Sequence, residues 1–426
     1  LIRIMRPISR LYRNLANSRQ ALWAERRLSE ALLTRWVGKN DRAALPARHI
    51  LLSATGGGSV GDQAMFESFV ANVVGDVVVV VRNNGSLLRI PHGEEARVTV
   101  LPLPGLLYGW TKPYLRDLRI LAAEIAKSHT VSVVGADIMD GAYNARASAR
   151  RFWVAAFAAK LGLNSQVLGF SWNAHPDARA VDAMLFASNQ GVALLARDPK
   201  SASRLRDAGS KTVVDVADLA FLAPRSEALP DELAAWIAQQ RADGRKVVVV
   251  NANYLLEHYV EQVPAYSALI AQQLENGFSF ILLPHDSRNA PSDESLAEDI
   301  WAASGSSDRV FLISKILLPN DVVTLSSQVD FVITGRMHLA ILAAIAGTPS
   351  VAVSYQGKIE GLYKRLGLDC FVLPDETFVA QLDDKFHSTD RDLEQIRVDL
   401  NAHLPLMMDL SRKNFERITT LPAPRA

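Results

Sequence analysis

Cysteine is almost absent: Cys370 is the only one in 426 residues, which excludes an intramolecular disulfide and any cysteine-rich zinc or iron–sulfur site. A reducing, cytoplasmic compartment is the simplest expectation. No apolar run reaches the ~18 residues that span a bilayer, and no signal-peptide pattern opens the sequence. Net charge is nearly absent too, +1 from 46 Lys plus Arg and 45 Asp plus Glu, so nothing marks a nucleic-acid binder. Core material is plentiful. Hydrophobic residues make up 49% and charged residues 21%, against disorder, and the length suits two domains of about 150–200 residues.

The small net charge hides an asymmetry. Residues 1–48 hold eleven Lys plus Arg against three Asp plus Glu, a net of +8, and the rest of the chain carries −7. Arg3, Arg6, Arg13, Arg26, Arg27 and Arg35 are interleaved with Leu, Ile and Trp at roughly helical spacing. Such a segment suits peripheral contact with an anionic inner-membrane face through residues 1–45. It equally suits a helix packed on the body of the protein.

From residue 48 onward, short β-branched runs alternate with helical stretches. Ile50-Leu51-Leu52, Val77 to Val81, Val131 to Val134 and Val167-Leu168 read as strands, with crossover helices between them. A second series has strands at Lys246 to Val250, Phe278 to Leu283, Val310 to Ile313, Phe331 to Thr334 and Ser350 to Val353. Non-alternating strands are buried on both faces, and the repeated order predicts two Rossmann-like parallel-sheet α/β domains facing a cleft. The expected units are a basic helical segment over 1–47, a first domain over 48–225, a second over 240–390, and a helix over 391–426 returning to the first. Ligands of open α/β sheets bind beyond the carboxyl ends of the strands.

Four constellations sit at such strand ends. Gly56-Gly57-Gly58-Ser59-Val60-Gly61-Asp62 follows the first strand and opens a helix. It fits neither a P-loop nor a dinucleotide fingerprint, and reads as a ligand turn or a tight turn capped by Asp62. Gly135 to Gly141 places Asp140 as a general base for a sugar hydroxyl or as an Asx-turn residue, and Ser171 and His175 follow the next strand. Arg197-Asp198-Pro199 puts an arginine at a strand end beside a helix start, placed to grip a carboxylate or phosphate. Thr334-Gly335-Arg336-Met337-His338 and Tyr355-Gln356-Gly357-Lys358 open two further strand-to-helix loops. Together Arg336, His338 and Lys358 predict a concentrated positive pocket for a multiply charged small anion.

Taken together these motifs resemble the polysaccharide pyruvyl transferase family, over about residues 50–368. The family's glycine turn, its R-D/E-x-x-S segment, its R-x-H and its downstream Y-x-x-K stand here as Gly56 to Asp62, Arg197 to Ser201, Arg336 to His338 and Tyr355 to Lys358. Asp218-Leu219-Ala220-Phe221 is similar to its D-P-A-F segment. Three departures lie in the half that faces the acceptor in this family: Ser59 replaces the usual Asn, Ala136 a commoner glycine, and residues 171–176 lack the usual G-P ending.

The resemblance implies a GT-B-like fold and transfer of the enolpyruvyl unit of phosphoenolpyruvate (PEP) to a sugar diol of a polysaccharide or glycolipid precursor. PEP is then a co-substrate and no cofactor or metal is needed. Arg197, Arg336, His338 and Lys358 would hold the donor, with His338 delivering a proton and Asp140 taking one. Gly57, Gly58, Ser59, Asp62, Ser171 and His175 would face the acceptor, a glycan or lipid-linked sugar. Two other readings remain open: a nucleotide-sugar glycosyltransferase of the same architecture, and a non-catalytic glycan- or anion-binding protein.

Overall fold

The computed structural model describes residues 18–38, 45–54, 57–87, 89–288, 291–355 and 358–419. Two parallel sheets organise them. The first contains β1 (Arg48–Leu52), β2 (Asp76–Val81), β3 (Val98–Pro102), β4 (Thr130–Val134), β5 (Asn164–Phe170), β6 (Ala193–Ala196) and β7 (Val213–Asp215), in the order β3-β2-β1-β4-β5-β6-β7. The second contains β8 (Lys246–Asn251), β9 (Phe278–Leu282), β10 (Val310–Leu312), β11 (Phe331–Thr334), β12 (Ser350–Val353) and β13 (Phe371–Val372), in the order β10-β9-β8-β11-β12-β13. All their pairings are parallel.

Central strands such as Asp76–Val81 and Lys246–Asn251 bury all but their first residue, because helices cover both faces of a parallel sheet. That is why their valine runs are continuous. β3, β7 and β13, which the apolar pattern did not single out, all lie at sheet edges, where less burial demands fewer apolar residues.

The order reverses between β1 and β4 in one sheet and between β8 and β11 in the other. At such switch points the loops diverge and leave a crevice at the strands' carboxyl ends. Here the crevices meet: Val60 N–H donates to the His285 carbonyl at 3.2 Å, Ser287 N–H to that of Gly58 at 2.9 Å, and Ser59 bridges Asp286.

The chain between the sheets is not a plain linker. Asp231–Ala242 is a helix whose Leu233 and Ile237 share a core with Val247, Val249 and Ile281 of the second domain. The helix Leu393–Arg412 reaches the end of the first domain, where Ser411 Oγ donates to the Asp218 carbonyl at 2.8 Å. Beyond it, Asn414 Nδ2 donates to the Ala217 carbonyl and Asn414 Oδ1 accepts from Gly169 N–H, both at 3.0 Å.

The helix Arg19–Val37 packs on the first domain through Leu22, Leu33 and Val37, and Ser29 Oγ and Tyr114 Oη are 2.7 Å apart. Residues 1–17 and 39–44, which carry the rest of the basic segment, lie outside the described residues. Among the described residues no helix is long and apolar enough to cross a membrane.

Candidate active site

A cavity of about 380 Å³ lies between the two switch points, in the size range of small-molecule sites. Most of its walls are loops and helix starts that follow strands. The first domain contributes Ser59 and Asp62 after β1, Tyr108 after β3, Asp137, Tyr143 and Arg151 after β4, and Arg197 after β6. The second contributes Tyr254 after β8, His285, Asp286 and Arg288 after β9, Arg336 and His338 after β11, and Tyr355 after β12.

Asp218 joins the two halves from beneath. Its Oδ2 accepts from Arg197 Nη1 at 2.6 Å and lies 3.5 Å from His338 Nε2. Its Oδ1 takes the Ala220 N–H at 3.0 Å, capping the short 3₁₀ turn Leu219–Leu222. Burial alone would raise the Asp218 carboxyl, but His338 and Arg197 outweigh it and hold the group well below the usual carboxylate range. Asp218 is therefore an anion that fixes both a guanidinium and an imidazole. Arg197 Nε donates to Ser171 Oγ at 2.8 Å, so Ser171 positions the arginine from outside the wall.

His338 turns a buried Nε2 toward Asp218. Gly61, on the first domain's helix Val60–Ala71, lies directly against that ring: a Cβ there would stand 2.2 Å from Nδ1. Only glycine lets the two domains close this tightly.

Arg336 is held from behind. Its Nε and Nη2 donate to the two oxygens of Asp293 at 3.0 and 2.6 Å, and its guanidinium lies 4.8 Å from the Tyr254 ring centroid. Nη1 stands 3.5 Å from Asp286 Oδ2. Burial raises the Asp293 carboxyl, opposed by Arg336. Arg288 in turn donates to Asp286 and reaches Asp62 Oδ2 at 3.2 Å. Arg197, Arg288 and Arg336 thus each arrive with an aspartate. A buried guanidinium without a counterion costs several kcal/mol, so the site supplies its own.

His285 was not singled out in the sequence. It is 2% exposed, lines the cavity, and has no hydrogen-bond partner on either ring nitrogen. Burial, then Arg336, His338 and Arg288, push its pKa well below 6.5, which keeps it neutral. His285-Asp286 and Arg288 directly follow β9, so the strand-end rule that found Arg336 also covered them.

The structure brings Arg197, Arg336, His338, Ser59 and Asp62 to one cavity. Others stand elsewhere. Asp140 is buried behind the wall, its Oδ1 accepting from Ala142 N–H at 3.0 Å as an Asx-turn residue; Asp137 lines the cavity in its place. Gly57 packs where a Cβ would stand 1.6 Å from the Gly85 carbonyl oxygen, and Gly58, at φ +90°, against Ser287; both serve the turn. Ser59 Oγ caps the following helix through Asp62 N–H at 3.4 Å. His175 is exposed and off the wall. Lys358 begins the helix Lys358–Arg365; Gly56, Gln356, Gly357 and the Lys358 side chain lie outside what is described.

A family model described as polysaccharide pyruvyl transferase matches residues 92–357. No curated protein matches the chain. Among solved structures it is similar to Staphylococcus aureus MnaA with UDP, at 12% identity and TM-score 0.58 over 89% of this chain and 100% of that one. A Neisseria meningitidis UDP-GlcNAc 2-epimerase bound to UDP-GlcNAc gives 13% and 0.54, over 88% and 99%. A glycosyltransferase from Rickettsia africae gives 11% and 0.55, over 88% and 98%. At these identities the likeness is one of fold, and the fold is GT-B-like.

Proposed function

The chain belongs to the polysaccharide pyruvyl transferase family, and from that premise we propose that it moves the enolpyruvyl unit of PEP onto two hydroxyls of a sugar, forming a pyruvate ketal and releasing phosphate. The observation that carries this reading is the convergence of Arg197 and His338, from opposite domains, on the Asp218 carboxylate at the wall of one cavity.

PEP presents a carboxylate and a phosphate. Arg336, clamped by Asp293, keeps Nη1 outside that clamp, and Arg197 keeps Nη2 outside its bonds to Ser171 and Asp218. Each can meet one anionic oxygen, with the Lys358 loop adding a third cation. His338 gives a proton to the PEP methylene carbon, which becomes the methyl group. The adjacent carbon turns oxocarbenium-like and takes the first hydroxyl oxygen. The C–O bond to phosphate then breaks, and the second hydroxyl adds. The diol loses two protons, one ending on the methyl carbon and one on phosphate. Asp137 takes the base role in this scheme, and the cations favour the departing phosphate.

The test is phosphate release from PEP across a panel of glycan acceptors, with UDP- and GDP-sugars in parallel. Acceptor-dependent phosphate release is expected. Turnover of a nucleotide sugar with none of PEP replaces this reading with a glycosyltransferase. Donor binding without turnover on any acceptor leaves a binding protein.

A further inference from the structure

Three arginines on the helix Ala145–Lys160 are turned inward, and their charges do not balance. Arg146 and Arg150 share one carboxylate, Glu25. Arg151 has none: it forms no ion pair with any carboxylate among the described residues, though it is only 2% exposed. Its Nε is buried without a partner, and among the described residues its one hydrogen bond runs from Nη2 to Tyr108 Oη at 3.2 Å. Both Arg151 and Tyr108 line the main cavity. On the outer side of the same phenol, the exposed Arg82 guanidinium lies 4.9 Å from the ring centroid.

A buried, uncompensated guanidinium costs several kcal/mol, the cost that aspartates relieve around Arg197 and Arg336. The missing charge at Arg151 is one that a ligand can supply. Its forked donors match a carboxylate or phosphate, and because Tyr108 Oη accepts from Arg151, its own O–H is left to donate to the same anion. This corner and Arg197 are carried by different strands of the sheet. Tyr108 and Arg82 follow β3 and β2, whereas Arg197 follows β6, four or more strands along the sheet. Arg151 itself rides on the helix that follows β4, two strands from β6.

We propose that Arg151 and Tyr108 form a second anion subsite in the first domain, which takes a phosphate or carboxylate carried by the acceptor, so that the enzyme modifies an acidic sugar and not a neutral one. The role as acceptor subsite rests on the transferase reading; the subsite itself does not.

The test uses the full chain without PEP. Glucose 1-phosphate, glucuronate and methyl glucoside are titrated calorimetrically into the parent, Arg151→Met and Tyr108→Phe. At least one charged ligand should bind about tenfold or more tighter than methyl glucoside, and which one does so separates a phosphate from a carboxylate subsite. Arg151→Met should erase that preference while keeping or raising the melting temperature, and Tyr108→Phe should cut it severalfold. If Arg151→Met fails to fold, Tyr108→Phe decides, since it leaves the guanidinium in place. Equal binding of all three ligands by the parent overturns the subsite. So does a preference that survives in Tyr108→Phe and in folded Arg151→Met. A further arm titrates PEP: affinity lost in Arg151→Met and kept in the parent assigns the residue to the donor and ends the acceptor role. A preference that depends on Arg151, in a protein that never turns PEP over, sinks the transferase reading and keeps the subsite.

Discussion

The two ends of the cavity handle charge in opposite ways. Around Asp218 and Asp293, each arginine is already clasped by an aspartate. Around Tyr108, Arg151 stands buried with no carboxylate among the described residues. Both ends grow from one sheet grammar, loops after parallel strands, so fold does not set the difference. The local supply of acid groups sets it. A clasped arginine is pre-aimed and costs little to hold ready, while an unclasped one leaves a charge for the ligand to complete.

The sharpest way to break this comparison is at the clasped end. His338→Ala should lower phosphate release about 100-fold or more, with PEP binding retained; steady-state kinetics beside PEP titration separate the two. Asp218→Asn should come next. It leaves Arg197 buried without its counterion, so urea unfolding should show a loss of about 3 kcal/mol, and turnover should fall for every acceptor alike. Gly61→Ala forces a methyl into the His338 ring and should cut turnover about tenfold with little change in the stability of either domain. Unchanged kinetics there would mean the ring moves freely and the tight closure is dispensable.

A smaller effect tests a group at neither end. Glu67 is buried on the helix that carries Gly61, and Gln63 donates to it at 2.8 Å. Burial, with Gln63 opposing, pushes its carboxyl up to about 7 from 4.5. The folded protein thus keeps a proton that the unfolded chain has lost, and stability falls as pH rises from about 4.5 through about 7. Glu67→Gln should flatten that slope in unfolding measurements and stabilise the protein at pH 8 by at most about 3 kcal/mol.

The architecture was legible because central parallel strands must be apolar on both faces, and the valine runs announce that plainly. Edge strands β3, β7 and β13 carry no such demand and left no pattern. At the site, Arg197, Arg336 and His338 could be read from strand-end position alone. Their aspartate partners could not. Asp293 lies 43 residues from Arg336 in the chain, and only the adjacency of β8, β9 and β11 brings their loops together. Asp137 and Asp140 lie three residues apart in one loop, and nothing in Gly135 to Gly141 says which carboxylate faces the cavity. Arg151 sits mid-helix, where position gives no hint of function and only its missing partner does.

The contact of Gly61 with His338, backed by Asp218 on the same side, has a kinetic corollary. The imidazole rides on one lobe and its carboxylate anchor on the other, so parting the lobes would leave the proposed acid with no brace. If PEP is the donor, as proposed, a parted enzyme that captured it would spare it hydrolysis until the lobes closed on both reactants. Slow background phosphate release without acceptor, quickened when an inert sugar analogue is added, is the signature to look for.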